Sequence, residues 1–128
     1  MSKSWFTRTV VVGSVAVATI VGSSGAAIAS DKTLTLSGGR GSMTFIDDGD
    51  VFKVCDTRAD GHGVTGELFY RSWLETTNRL VLTVDDGGDS GCDKAGYNVG
   101  NDGYYQMRVC WDGWDPIVSC QWSEEFNE

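Results

Sequence analysis

The residues Asp56-Thr57-Arg58-Ala59-Asp60-Gly61-His62-Gly63-Val64-Thr65-Gly66-Glu67 place acids at positions 1, 5 and 12 of a twelve-residue loop and glycine at position 6. That spacing follows the calcium loop D-x-[DN]-x-[DN]-G-x5-E, in which the glycine permits a sharp turn and the final glutamate binds through both oxygens. Asp56, Asp60 and Glu67 are therefore the metal ligands the sequence offers, and calcium the one cofactor it suggests. Two features oppose this. Arg58 stands at position 3, where an oxygen donor belongs, and extended segments flank the loop where the motif has helices. The competing expectation is an Asx-type turn between two strands, with Asp56 and Asp60 accepting from backbone amides. The acid runs at Asp47, Asp48, Asp50 and at Asp85, Asp86, Asp89 read as solvated turns.

Other chemistries find less support. His62 is the only histidine, sits between two glycines, and has no serine or cysteine beside it to form a nucleophile pair. The four cysteines, Cys55, Cys92, Cys110 and Cys120, contain no Cys-x-x-Cys pair, and their spacings of 37, 18 and 10 fit none of the usual zinc arrangements. No catalytic residue is assigned. The aromatics are more informative, because Trp73, Trp111, Trp114, Trp122, Tyr104 and Tyr105 exceed what a small core buries. Trp111 and Trp114 alternate with Asp112 and Asp115 in a loop between strands, a surface suited to stacking on a sugar ring or anchoring a protein. The opposing expectation folds Trp114 back over a Cys110–Cys120 bridge.

The elements that position these residues begin with export. Lys3 and Arg8 precede an apolar run over residues 10–20, and Ala27-Ile28-Ala29 supplies small residues before Ser30. Residues 1–29 thus read as a signal peptide and residues 30–128 as a single secreted β domain. A retained membrane anchor is the alternative, weakened by Gly13, Gly22, Gly25 and the Ser23-Ser24 pair. Cleavage removes Lys3, Arg8 and no acid, so 8 of the 10 basic residues remain against all 18 acids, a net charge of -10 instead of -8. Such acidity argues against nucleic acid as a partner, and no membrane contact is expected after cleavage. A monomer facing an extracellular protein or polymer is expected.

Export also delivers the cysteines to an oxidising space, where they pair. The segments 104–110 and 117–121 look like a hairpin, which selects Cys110 with Cys120 and leaves Cys55 with Cys92. On the loop-entropy account the shorter loop contributes about 3 kcal/mol and the longer about 4. The secreted part holds eight valines, eight threonines and twelve aromatics against two alanines, poor helix material and good strand material. Strands are expected over 33–36, 42–45, 51–55 with Phe52 and Val54 on one face, 68–73, and 80–84. The last is the most apolar and the expected central strand. Residues 97–99 and 104–110 suggest a hairpin bent at Asp102-Gly103, and residues 124–128 a frayed tail. The fold class is all-β, a small disulfide-stapled antiparallel β-sandwich, with a small β-barrel as alternative.

The run Cys55-Asp56-Thr57-Arg58-Ala59-Asp60-Gly61-His62, with Cys92 behind an acidic glycine turn and two cysteines near the end, resembles a group of small exported actinobacterial proteins. They carry a Cys-Asp-x-x-Ala-Asp-Gly-His motif and two disulfides. The resemblance spans roughly residues 45–120 and implies export and a β fold; that group has no assigned activity, so it transfers no catalytic residue. Exported amylase inhibitors share size and cysteine number, but their Trp-Arg-Tyr triplet is absent, and Tyr70-Arg71-Ser72-Trp73 does not match it. The leading functional expectation is a secreted, non-enzymatic binding protein acting through the aromatic-acidic loop. Alternatives are an inhibitor of an extracellular hydrolase presenting residues 111–116, and a calcium-stabilised extracellular structural domain.

Overall fold

The computed structural model describes residues 30–88, 90–113 and 119–128; the expected signal peptide, Asp89, Trp114 and Asp115 lie outside them. The described residues form eight strands: β1 (Lys32–Thr35), β2 (Gly41–Ile46), β3 (Val51–Asp56), β4 (Val64–Ser72), β5 (Arg79–Asp86), β6 (Gly91–Gly96), β7 (Gly103–Trp111) and β8 (Cys120–Trp122). They build two four-stranded sheets, in the orders β1-β2-β3-β6 and β5-β4-β7-β8, with every pairing antiparallel. The sheets stay open and do not close on each other, which corrects the barrel alternative and leaves an all-β sandwich.

Period-two alternation decides which side chains meet between the sheets. Met43, Phe45, Phe52 and Val54 from the first sheet are buried against Val64, Leu68, Tyr70, Tyr105, Met107 and Val109 from the second. Gly66 lies on the inner face of β4 because nothing larger fits. A methyl group there would fall 2.9 Å from the Met43 sulfur and closer still to Val54. Phe45 stacks on Phe52 at 4.9 Å and on Phe126 at 5.4 Å, continuing the core to the C-terminal end of the chain.

Both disulfides form as the hairpin reading expects. Cys55 stands opposite Cys92 in the β3–β6 register and Cys110 opposite Cys120 in the β7–β8 register. Each staples an edge strand to its inner neighbour, where the backbone ladder alone is held from one side only.

Three expectations are corrected. β5 is an edge strand, not the central one, because its Leu80 turns outward and is half exposed, and a register shift between Leu68 and Phe69 interrupts its pairing with β4. The central pair is β4 and β7. Residues 97–99 do not pair with β7; the strand precedes them as β6, whose Gly91-Cys92-Asp93-Lys94 start is exposed and carries no apolar alternation. The tail is not frayed, since Phe126 is buried and exchanges backbone hydrogen bonds of 2.8 and 2.9 Å with Tyr105.

Candidate functional site

The loop joining β3 to β4 folds on its own carboxylates. Asp56 accepts the Arg58 N–H at 2.9 Å and Asp60 accepts the His62 N–H at 3.0 Å, both reaching two residues ahead as Asx turns do. Gly61 takes a φ of 78°, which an L side chain resists. Arg58 does not point into the loop; its guanidinium donates to the Gly38 carbonyl at 2.7 Å.

Strand alternation separates the three acids that the calcium spacing suggested. Asp56 ends β3 on its inner face and is 3% exposed. Glu67 stands at the fourth position of β4, on the outer face of the second sheet, and pairs with Arg108 of β7. Asp60 turns its second oxygen to the indole N–H of Trp111, 3.2 Å away. Among the described residues no three histidine, cysteine, aspartate or glutamate side chains group to hold a metal ion. Asp56, Asp60 and Glu67 are thus not brought together, because a strand pair replaces the helix pair that would wrap such a loop around an ion.

Trp111 closes this end of the sandwich. The Arg40 guanidinium lies 4.3 Å over its ring, His62 meets it edge-on at 5.0 Å, and its N–H is taken by Asp60. Asp112 accepts the Thr65 hydroxyl at 2.9 Å, and its N–H donates to the Gly63 carbonyl at 2.9 Å. Burial raises the Asp112 carboxyl above its ordinary value; the Thr65 hydrogen bond opposes this, and the charges of Asp85, Asp56 and Glu67 add to it. Trp111 is therefore half-buried under its own contacts, and Asp112, though exposed, has its carboxylate engaged by Thr65. Trp114 and Asp115, the other half of the expected loop surface, lie outside the described residues.

The open aromatic surface lies elsewhere, on the outer face of the second sheet. Trp122 is 47% exposed and packs against Phe69 at 5.3 Å. Arg108 bridges them, 5.2 Å from the Phe69 ring and 5.0 Å from the Trp122 ring. Further along, Arg71 covers Tyr104 at 4.5 Å while both Glu125 oxygens receive its guanidinium at 2.8 Å. Trp73 meets Tyr104 edge-on at 4.4 Å and anchors its N–H on the Asn101 carbonyl. Leu80, exposed beside Phe69 in the register, completes the strip. The signal for it was in the alternation: Phe69 and Arg71 fall opposite Leu68 and Tyr70, as Tyr104 and Arg108 fall opposite Tyr105 and Met107.

No family model, curated protein or solved structure matches this chain.

The fold and these contacts carry the functional reading. Among the described residues Arg71 pairs with Glu125 and Arg108 with Glu67, so the strip offers aromatic rings beside balanced charge.

Proposed function

We propose that the chain is an exported, non-enzymatic binding protein that presents the outer face of its second sheet to an extracellular protein or polymer. The observation that carries this is the strip of Trp122, Phe69, Leu80, Tyr104 and Trp73, large side chains left on a solvent-facing sheet of a small domain. Exposed tryptophan and tyrosine beside arginine are the residue types that dominate interface energetics. The signal-like start, the two cross-strand disulfides and the resemblance to exported actinobacterial proteins support an oxidising, extracellular setting. We place the contact surface on the strip instead of on Trp111 and Asp112, whose polar atoms are satisfied within the protein.

The test is retention from the medium and cell-wall fraction of the host on the immobilised, oxidised protein. Reproducible capture of one component, absent with a reduced and unfolded control, is expected; no capture from either fraction overturns the reading. The hydrolase-inhibitor alternative draws on the Cys110–Cys120 bridge, which clamps the base of the β7–β8 loop. Inhibition within a panel of extracellular proteases and glycosidases would favour it over the strip.

A further inference from the structure

At the end of the sandwich remote from Trp111, where β4 stops and β7 starts, the core opens into a cleft of about 520 Å³. That volume lies in the range of small-molecule sites. Its inner wall is Tyr70 and Tyr105, with rings 4.9 Å apart, and Tyr97 stands edge-on to Tyr105 at 6.2 Å. The Arg79 guanidinium lies 4.9 Å over Tyr70 on one side. Asn98, Asn101 and Asp102, from the connection between β6 and β7, line the other.

Backbone groups, the Tyr105 hydroxyl and the Trp73 indole hold the cleft open. The Gly100 N–H donates to the Tyr105 hydroxyl at 3.3 Å, the Tyr97 N–H to the Asp50 carbonyl at 3.0 Å, and the Trp73 indole to the Asn101 carbonyl at 3.1 Å. Gly103 lets the chain pass close to the Arg71 carbonyl, where a methyl group would fall 2.7 Å from the Tyr70 ring. Burial first, then the charge and hydrogen bonding of Asp102, raise the Tyr70 phenol above its ordinary value. The Asn98 and Asn101 amides make no side-chain hydrogen bond to other described residues.

These groups narrow the ligand by charge. One guanidinium and one carboxylate across a small cleft disfavour both a phosphate, which Asp102 repels, and a metal ion, which Arg79 repels. Amides, a carboxylate acceptor and tyrosine rings suit an uncharged ligand carrying many hydroxyls, each able to donate to one group and accept from another. We propose that the cleft between Tyr97, Asp102 and Arg79 binds a neutral saccharide unit. This rests on the reading of the chain as a binding protein; of the outer strip it uses only the Trp73 indole, which holds the Asn101 carbonyl, so Trp122→Ala separates the two.

The experiment is an NMR titration of the oxidised protein with glucose, galactose, mannose, N-acetylglucosamine, maltose and cellobiose. Saturable shifts of the Asn98 and Asn101 side-chain amides with at least one sugar are expected, weakened about tenfold or more in Tyr97→Ala and in Asp102→Asn. Asn98→Ala, which removes an amide with no side-chain hydrogen bond to another described residue, keeps the test decisive if Asp102→Asn lowers the melting temperature. Trp122→Ala should leave the titration unchanged. No saturable shift with any of these sugars, shifts that survive in all three cleft variants, or tighter binding of inorganic phosphate than of every sugar overturns the proposal.

Discussion

The guanidinium of Arg108 stands 5.0 Å over the Trp122 ring while its charge is met by Glu67 on the neighbouring strand. The indole is thereby oriented without being buried, since 47% of it still faces solvent. A ring fixed in advance loses little conformational freedom on contact, and this makes an exposed aromatic useful for binding.

Gly66→Ala should be costly although it adds one methyl. The added carbon would press on Val54 and the Met43 sulfur, backed by the opposite sheet, and overpacking of this kind costs about 1–3 kcal/mol. Urea unfolding should show a lower midpoint with an unchanged slope.

The C-terminal segment should behave as part of the core. Phe126 is 6% exposed, stacks on Phe45 and lies under Lys32 at 5.8 Å. Phe126→Ala should lower stability by about 3–5 kcal/mol, the range for deleting a buried ring. Deleting Asn127 and Glu128 alone should change little in a thermal melt.

Much of this was legible in the sequence, and the failures share a cause. Alternation placed Phe52 and Val54 in the core, and the hairpin reading paired Cys110 with Cys120, leaving Cys55 with Cys92 by elimination. β6 was missed because an exposed edge strand needs no apolar face, so Cys92-Asp93-Lys94 carries no pattern. The run 80–84 was placed centrally because apolar content does not reveal which neighbours a strand has. Phe126 looked frayed because its partner, Tyr105, is 21 residues away and only the folded sheet brings them together. The spacing of Asp56, Asp60 and Glu67 counted residues correctly, yet strand pairing sends Glu67 to the outer face.

Calcium should accordingly leave the melting temperature unmoved. A ligand that prefers the folded state must raise stability by mass action, and Glu67 is already committed to Arg108. A rise that disappears in Glu67→Gln would restore the calcium reading.

Asp112 sets a pH dependence. Its carboxyl is raised in the folded protein, so the folded state binds the proton more tightly than the unfolded chain. Asp112 therefore costs stability above its folded value, and this cost fades as pH falls through that value toward the ordinary aspartate range. Asp112→Asn should raise the melting temperature at pH 7 by a small amount, since the residue is exposed, and the difference should vanish in acid. An equal gain at both pH values would assign the effect to the Thr65 hydrogen bond instead.

The most direct measurement compares wild type with the Trp73→Ala/Trp122→Ala double variant, for melting temperature and for retention of the captured host component. Both rings are about half exposed, so the fold should survive with a loss of about 1 kcal/mol per site, while retention falls at least about tenfold. Full retention by a folded double variant would contradict the account.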